Sequence, residues 1–259
     1  MENIRKYGKA PFNIAVIHGG PGAPGEMAAV AKELSKTCGV LEPLQTKSSL
    51  KEQLQELEIV LKENGGLPMT LIGFSWGAWL SFVFAARNSS FVQKLILVSS
   101  GPFEERYALD IMRTRLSRLA EEERMTIDSL SEILNDPERQ DKNEIFAQLG
   151  ELISKADSYD PLPYKSDVIE YQYYIFENVW KEAEELRRSG KLVALGKKIR
   201  CPVVAIHGDC DAHSAEGVKI PLASVIKNFR FILLKNCGHR PWIERAAKDA
   251  FYTILKKEL

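Results

Sequence analysis

The sequence predicts an α/β protein built on a mostly parallel sheet of about six strands flanked by helices. Short apolar runs bounded by glycine, proline or polar turns recur along the chain, as buried strands do. Amphipathic segments of helical length lie between most of these runs, and strands that alternate with helices are typical of a parallel sheet. The fold class therefore follows from the order of the patterns along the chain.

The predicted strands and helices alternate from residue 12 onwards. Six apolar runs are predicted to be buried strands, at residues 12–17, 39–44, 69–74, 92–98, 202–206 and 229–234. Four amphipathic segments are predicted to be helices, at residues 48–64, 76–87, 214–227 and 242–257. Because the carboxyl ends of parallel strands face one edge of a sheet, side chains in the loops after different strands are expected to meet there.

Residues 103–190 break this alternation and are predicted to form a helical cap inserted after the strand at 92–98. They contain 33 charged residues in 88 positions, against 37 in the other 171, and they hold only two of the 17 glycines. Helical periodicity dominates this segment. The expected domains are therefore a core of residues 1–102 and 191–259 and a cap of residues 103–190.

The charge and hydropathy of the chain exclude several classes of partner. The chain has 259 residues, with 35 basic and 35 acidic side chains, so its formal net charge is zero. Such a chain has no global positive field to hold nucleic acid or anionic lipid, so neither a nucleic-acid nor a membrane partner is expected. No apolar stretch has the length of a signal peptide or of a membrane span. A cytoplasmic location is expected, and the sequence leaves the oligomeric state open.

The cysteines predict free thiols in a reducing compartment. Cys38, Cys201, Cys210 and Cys237 form no CxxC pair and are scattered among strand-like and loop-like stretches. The spacing of Cys210 and Cys237 from the histidines fits no standard zinc pattern. Neither a metal nor a cofactor is therefore expected.

A GxSxG pattern at residues 73–77 lies where the third predicted strand passes directly into a helix, with Ser75 at its centre. Such a sharp turn forces its central residue into a strained backbone conformation. The flanking glycines remove the β-carbons that would clash as strand and helix approach. We expect Ser75 to be a nucleophile held at the tip of the turn. The alternative interpretation is an ordinary turn in which the serine caps the helix.

A serine nucleophile needs a base, and the base needs a third group that fixes its tautomer. His239 follows the last predicted strand and is therefore the expected base. His18 also follows a strand, but the glycines after it suit that loop to another task. His207 and His213 are expected to be packing or capping histidines.

The orienting acid is expected in the loop that follows the strand at 202–206. Asp211 is preferred to Asp209, because the residue farther from the strand end can reach across to the histidine loop. The chain order Ser75, Asp211, His239 is the order expected for a serine nucleophile at a strand-to-helix turn.

The loop His18–Gly22 reads HGGPG, and few of its side chains obstruct the main chain. The backbone N–H groups of Gly20 and Trp76 are expected to face a developing oxyanion. A phosphate-binding loop is the alternative. The segment lacks both the lysine of a P-loop and the GxGxxG spacing.

Together these motifs resemble the α/β-hydrolase superfamily over nearly the whole chain. Residues 73–77 match its nucleophile elbow, 18–22 its oxyanion loop, 208–211 its acid loop and 238–239 its histidine loop. The insertion follows the strand after which that superfamily usually carries its cap. The resemblance implies the same fold.

The HGGPG loop, Trp76 after the serine, and the segment Gly238–Trp242 with Glu244 nearby are most similar to the proline-iminopeptidase-like branch. Only about a dozen residues precede the first predicted strand. The antiparallel strands that often open this fold are therefore expected to be shortened or missing.

The motifs and the resemblance imply a serine hydrolase that cleaves a small acyl ester, thioester or amide through an acyl-enzyme. One alternative is a proline-iminopeptidase-like aminopeptidase, which needs an anionic group for the free amine of its substrate. Glu104, Glu170 and Glu177 of the cap are candidates for that group. The other alternative is a non-catalytic ligand-binding protein that keeps the hydrolase frame.

The cap is rich in aromatic side chains. We expect Tyr171, Tyr174 and Phe176 to line an acyl or aryl pocket, with packing between helices as the alternative for each. Every group assigned to chemistry lies outside residues 103–190. The cap is therefore expected to select substrates while contributing little to the chemical step.

Overall fold

A computed structural model describes residues 3–259 and contains one seven-stranded sheet between two layers of helices. The strands are β1 (Ile4–Tyr7), β2 (Phe12–Ile17), β3 (Gly39–Pro43), β4 (Met69–Phe74), β5 (Val92–Val98), β6 (Val203–Gly208) and β7 (Phe229–Leu234). Their order across the sheet is β1-β3-β2-β4-β5-β6-β7. All neighbours are parallel except β1, which runs antiparallel to β3.

Five α-helices cover the two faces of the sheet. They are α1 (Ala28–Leu34), α2 (Leu50–Asn64), α3 (Trp76–Arg87), α9 (Glu216–Val225) and α10 (Lys248–Lys257). Helices α2, α3 and α9 bury their apolar side chains against one face, and α1 and α10 against the other. Successive residues of β4 alternate between these two cores, with Leu71 on one side and Ile72 on the other, as the pleat of a strand requires.

The chain between β5 and β6 is mainly helical. It contains α4 (Ile111–Ser117), α5 (Glu121–Asn135), α6 (Lys142–Asp157), α7 (Tyr173–Arg188) and the short α8 (Lys191–Ala194). Helices α5 and α6 pack on each other through two small apolar clusters of their own. Helix α7 also reaches the main core, where Val179 is fully buried. We call α4 to α7 and their connections the inserted helices.

The parallel α/β architecture predicted from the sequence is confirmed, with differences at its edges. Strand β1 was not predicted, because its sequence IRKY carries two charged residues and its side chains are only partly buried, as suits the edge of a sheet. The seven-residue helix α1 was also missed. Within residues 3–259, no helix combines the length and the apolar character needed to span a bilayer.

The last helix begins six residues later than its apolar pattern predicted, at Lys248 rather than at residue 242. The backbone before it forms separate turns and also bonds to the connection between the inserted helices. The N–H of Arg245 donates to the carbonyl of Asp160, and the carbonyl of Ile243 accepts from the N–H of Leu162. Residues 239–247 therefore form a loop that is attached to the insertion.

Candidate active site

Ser75 lies at the turn between β4 and α3 in a strained backbone conformation, with φ 50° and ψ −114°. A non-glycine residue with such angles costs about 1–3 kcal/mol, which the surrounding packing must offset. Helix α3 provides that packing, because all but the last of its residues are buried. A β-carbon at Gly73 would overlap the carbonyl of Gly77, and one at Gly77 would overlap the carbonyl of Ile17. Both glycines are therefore needed for the turn.

Asp211 and His239 meet across the loops that follow β6 and β7. The Nδ1 of His239 lies 2.7 Å from Oδ2 of Asp211, whose carboxylate is fully buried. The two loops are themselves joined, because the N–H of Cys210 donates to the carbonyl of Cys237 at 2.9 Å. Since Nδ1 of His239 donates to the carboxylate, its Nε2 is left as the free basic nitrogen.

Asp209, the alternative acid, lies away from this pair. Its Oδ1 accepts from the N–H of Cys237 at 3.3 Å, and its Oδ2 lies 3.4 Å from the exposed Lys235. The carboxylate therefore holds the histidine loop by its backbone, whereas Asp211 contacts the imidazole itself.

Two further histidines surround the carboxylate of Asp211. Nδ1 of His213 lies 2.9 Å from Oδ1, and the backbone N–H of His213 donates to the same oxygen at 2.9 Å. The Nε2 of His207 lies 3.5 Å from Oδ2 and 2.9 Å from the carbonyl of His213. Asp211 is thus held from several sides. The ring of His213 also stacks on that of His239, with 4.5 Å between their centroids.

His213 was predicted to be a packing or capping residue, and it is buried, but its position also brings it into the site. His213 lines the same cavity as His239 and is bonded to the same carboxylate. The signal in the sequence is the two-residue spacing from Asp211, which lets the His213 backbone N–H and ring close on one oxygen. His207 does pack in the core, as predicted.

The pKa values of Asp211 and of the two histidines beside it, His239 and His213, shift in different directions. Burial alone would raise the pKa of Asp211, but His239, His213 and His207 together hold it well below its usual range. Burial alone would lower the pKa of His239, and the Asp211 carboxylate outweighs this and raises it. Burial lowers the pKa of His213 despite Asp211. One imidazole is therefore favoured as the proton acceptor.

The loop after β2 lines the same cavity as Ser75. Gly20 has a positive φ of 28° and lines the same cavity as Ser75 and Trp76. Trp76 is the first residue of α3, so its N–H has no partner within the helix. His18 does not share this cavity: it is fully buried, and its ring nitrogens contact the carbonyls of Gly19 and Leu44.

Ser75 and His239 open into one cavity of about 450 Å³ between the sheet edge and the inserted helices. No hydrogen bond within residues 3–259 joins the Ser75 hydroxyl to His239. The wall contributed by the insertion is mainly apolar and includes Ile127, Leu134, Phe146, Leu149, Ile153, Phe176 and Trp180. The cavity is therefore large enough for a small acyl group and suited to one.

Tyr171 and Phe176 line this cavity as predicted, but Tyr174 does not. Phe176 stacks on Trp180, 6.1 Å away between centroids and one helical turn further along α7. Tyr174 lies two residues before Phe176, about 200° around the helix axis, and 68% of it is exposed. The prediction for Tyr174 is wrong because the inward face of α7 was not identified from the sequence.

The charged side chains that line the cavity form three Arg–carboxylate pairs. Arg115 pairs with Asp157 at 2.7 Å and Arg240 with Glu26 at 2.9 Å. Arg187 lies 3.6 Å from Glu184 but bonds more closely to Glu105, at 2.7 Å. Glu104, Glu170 and Glu177, the candidates for binding a free amine, are not among the lining residues. The carboxylates of Glu26 and Asp157 are thus each paired with a guanidinium of their own, whereas Glu184 shares Arg187 with Glu105.

Arg115 and Asp157 belong to the site but were not predicted from the sequence. Asp157 is the last residue of α6, its carbonyl accepts the backbone N–H of His239 at 2.8 Å, and it is only 5% exposed. Arg115 of α4 forms a two-pronged bond with its carboxylate, with Nε 2.8 Å from Oδ1 and Nη2 2.7 Å from Oδ2. Both residues belong to a segment rich in charged residues, so nothing in the sequence distinguishes them from their neighbours.

The side chains of Asp157, His213 and His239 bring possible metal-ligand atoms within 4.8 Å of one another. Both carboxylate oxygens of Asp157 are bonded to Arg115, however, and Nη2 of Arg115 also lies 3.5 Å from Nε2 of His213. A guanidinium thus stands where a cation would need to bind, so these residues are not a metal site. The four cysteines are free thiols.

The comparisons with known proteins agree with this architecture. The family model described as "alpha/beta hydrolase fold" matches residues 14–246. No curated protein matches the chain. Solved structures that resemble it include VinJ, with 18% identity and a TM-score of 0.68 over 98% of this chain and 93% of that one.

Two other solved structures are similar over nearly their whole length. Est816, described as an N-acyl homoserine lactone degrading enzyme, has 15% identity and a TM-score of 0.66, covering 99% of this chain and 96% of its own. A proline iminopeptidase from Mycobacterium smegmatis has 16% identity and a TM-score of 0.64, covering 98% and 93%. These likenesses show a shared fold, and the superfamily predicted from the motifs is confirmed: the chain belongs to the alpha/beta hydrolase fold family.

Proposed function

We propose that the protein is a serine hydrolase that cleaves small acyl esters through an acyl-enzyme. Ser75 is the nucleophile, His239 the general base and Asp211 the acid that orients it. The observation that carries the proposal is the 2.7 Å contact between His239 Nδ1 and buried Asp211, in the cavity onto which the strained Ser75 opens. A serine at a strained turn has no structural need for an imidazole–carboxylate pair facing the same cavity.

The reaction follows from these positions. The Ser75 oxygen attacks the acyl carbonyl carbon as Nε2 of His239 takes the hydroxyl proton. The amides of Gly20 and Trp76 donate hydrogen bonds to the oxyanion. The leaving group departs with the proton from His239, and water then attacks the acyl-enzyme with His239 again acting as base. The bond between the Ser75 oxygen and the acyl carbon breaks, the carboxylic acid leaves, and His239 returns the proton to Ser75. The Ser75–His239 contact is made in the substrate complex, since catalytic hydrogen bonds often tighten only there.

The charge balance of the cavity favours a neutral acyl substrate over a peptide with a free amino terminus. An aminopeptidase needs a carboxylate that is free to bind the ammonium group. Here Glu26 and Asp157 are each bonded to an arginine, and Glu184 lies 3.6 Å from Arg187, which it shares with Glu105. The apolar wall formed by the inserted helices suits a hydrocarbon or aryl acyl group instead.

Both alternatives are tested by kinetics on a matched panel of substrates. The purified protein is given aryl esters, acyl thioesters and aminoacyl-arylamides, the last with the amine free or acetylated. We expect the largest kcat/KM for short and medium acyl esters and no gain from a free amine. Preference for the free amine would support an aminopeptidase, and no turnover of any member, with no acyl-enzyme formed, would support a ligand-binding protein.

A further inference from the structure

We propose that Arg115 and Asp157, supplied by two inserted helices, form a positioning pair that holds His239 and the neighbouring His213 for catalysis. The proposal rests on the function proposed for His239. It assigns to the insertion a part in the chemical step, contrary to the expectation that the insertion only selects substrates.

Asp157 holds the backbone of the base. Its carbonyl accepts the N–H of His239 at 2.8 Å, so the end of α6 fixes the position at which the His239 side chain leaves the main chain. Its carboxylate points to Arg115 of α4. Helices α4 and α6 are thus linked at the residue that touches the histidine loop.

Arg115 also lies beside the second imidazole. Because Nδ1 of His213 donates to Asp211, its Nε2 is an acceptor, and Nη2 of Arg115 lies 3.5 Å from it. His213 in turn stacks on His239 at 4.5 Å between centroids. Two routes therefore lead from the Arg115–Asp157 pair to the base, one through its backbone and one through the stacked ring.

Stability alone does not explain a buried ion pair at this place. Replacing such a pair by apolar side chains of similar volume is often neutral or stabilising, because both charges lose their hydration. The surrounding wall of the insertion is apolar, and Ile111 and Ile153 line the same cavity. The pair lies where the insertion meets His239 and His213. A fixed hydrogen-bond donor and acceptor at this place can position the two histidines.

Charges face His239 from each element packed against it. Asp211 and His213 approach from the loop after β6, His207 from β6 itself, and Asp157 and Arg115 from the insertion. The Arg240–Glu26 pair lines the same cavity. Within the positioning pair, the charge of Asp157 raises the pKa of His239 and that of Arg115 lowers it. Removing the charge of Asp157 should therefore lower the pKa of His239, and removing the charge of Arg115 should raise it.

The test is the pH dependence of the rate at which a small fluorophosphonate labels Ser75, which needs no knowledge of the substrate. Asp157→Asn should move the midpoint of the rate to lower pH by about one unit, and Arg115→Met should move it to higher pH. The double variant, which carries neither charge, should return close to the wild-type midpoint. If the pair served folding alone, the variants would change the fraction of protein that is labelled. The midpoints of the two single variants would then not move in opposite directions.

Arg139 and Asp141 provide a matched control within the insertion. Their two-pronged bond has the same geometry, with Nε 2.8 Å from Oδ1 and Nη2 2.7 Å from Oδ2, but both side chains are about 40% exposed and neither lines the cavity. Arg139→Met and Asp141→Asn should leave the midpoint unchanged.

The outcomes separate this proposal from the proposed function. If the wild-type protein is not labelled at Ser75, the serine hydrolase assignment is wrong. If it is labelled and the single variants share the wild-type midpoint or shift in one direction, the positioning pair alone is overturned. Circular dichroism checks the fold of each variant. If one single variant does not fold, comparison of the other single variant with the double variant still gives the direction of the midpoint shift.

Discussion

The carboxylate of Glu244, fully buried beside the histidine loop, accepts the backbone N–H of Tyr159 at 2.9 Å. Its other oxygen accepts the N–H of Asp160 at 2.8 Å. Residues 159 and 160 follow the C-cap Ser158 of α6, so the Glu244 side chain fastens the chain just beyond the end of an inserted helix. The insertion is therefore attached to the loop that carries His239, and its position affects that of the base.

Glu244→Gln should destabilise the protein by about 1–3 kcal/mol, the cost of leaving a buried polar group without a partner. The amide keeps one acceptor but turns an N–H group towards a backbone N–H that needs an acceptor. Urea unfolding measures the change. Glu177→Gln, which alters only an exposed pair with Lys181, is the control and should have little effect. Equal stability of the two variants would mean that Glu244 does not fasten the insertion.

Asp211→Asn should reduce turnover by roughly 10³- to 10⁴-fold, because an amide facing Nδ1 of His239 favours the wrong tautomer of the imidazole. Asp209→Asn should do much less, since the Asp209 carboxylate contacts the backbone of Cys237 and the Lys235 side chain. Steady-state kcat of the folded variants decides between them. The reverse ranking would transfer the orienting role to Asp209.

The rate of acylation should rise with pH through the titration of His239, which must be neutral to take a proton. Because Asp211 raises the pKa of His239, the midpoint should lie above that of an unperturbed imidazole. The pKa of Asp211 is well below its usual range, so this carboxylate stays ionised throughout and adds no second step. A pH–rate profile of kcat/KM measures the midpoint. A rate that is flat from pH 5 to 8 would argue against His239 as the base.

Phe176→Leu and Tyr174→Leu form a matched pair on α7 for substrate selection. Phe176 lines the cavity, whereas Tyr174 is largely exposed. Phe176→Leu should change the relative kcat/KM among acyl chain lengths by roughly 10-fold, the effect of about 1–3 kcal/mol of pocket contact. Tyr174→Leu should keep the wild-type ranking. If both variants keep it, the acyl group binds elsewhere.

The core of the fold was predictable because its local signals agree with each other. Strands β4, β5 and β7 begin and end at the predicted residues, since each is an apolar run between clear turn signals. The strained turn at Ser75 was predictable from Gly73 and Gly77, because a β-carbon at either position would clash with neighbouring backbone. The edge strand β1 lacked such a signal, because an edge position tolerates charged residues.

The contribution of the insertion to the site was not predictable from the sequence. Arg115 and Asp157 are 42 residues apart and belong to a segment in which most charged side chains are solvated. Charge patterning identifies exposed helix faces, but it gives no information about which two charges meet in the interior. Only the packing of α4 against α6 brings this pair to His239.

Ser75 is the residue on which the proposed reaction depends most directly, as its nucleophile. The decisive measurement is labelling by a small fluorophosphonate, followed by mass spectrometry of the digested protein. We predict one adduct, located on Ser75, with no labelling of Ser75→Ala and a loss of at least about 10³-fold in the kcat of that folded variant. An adduct on another serine, or hydrolysis that survives in Ser75→Ala, would contradict the account.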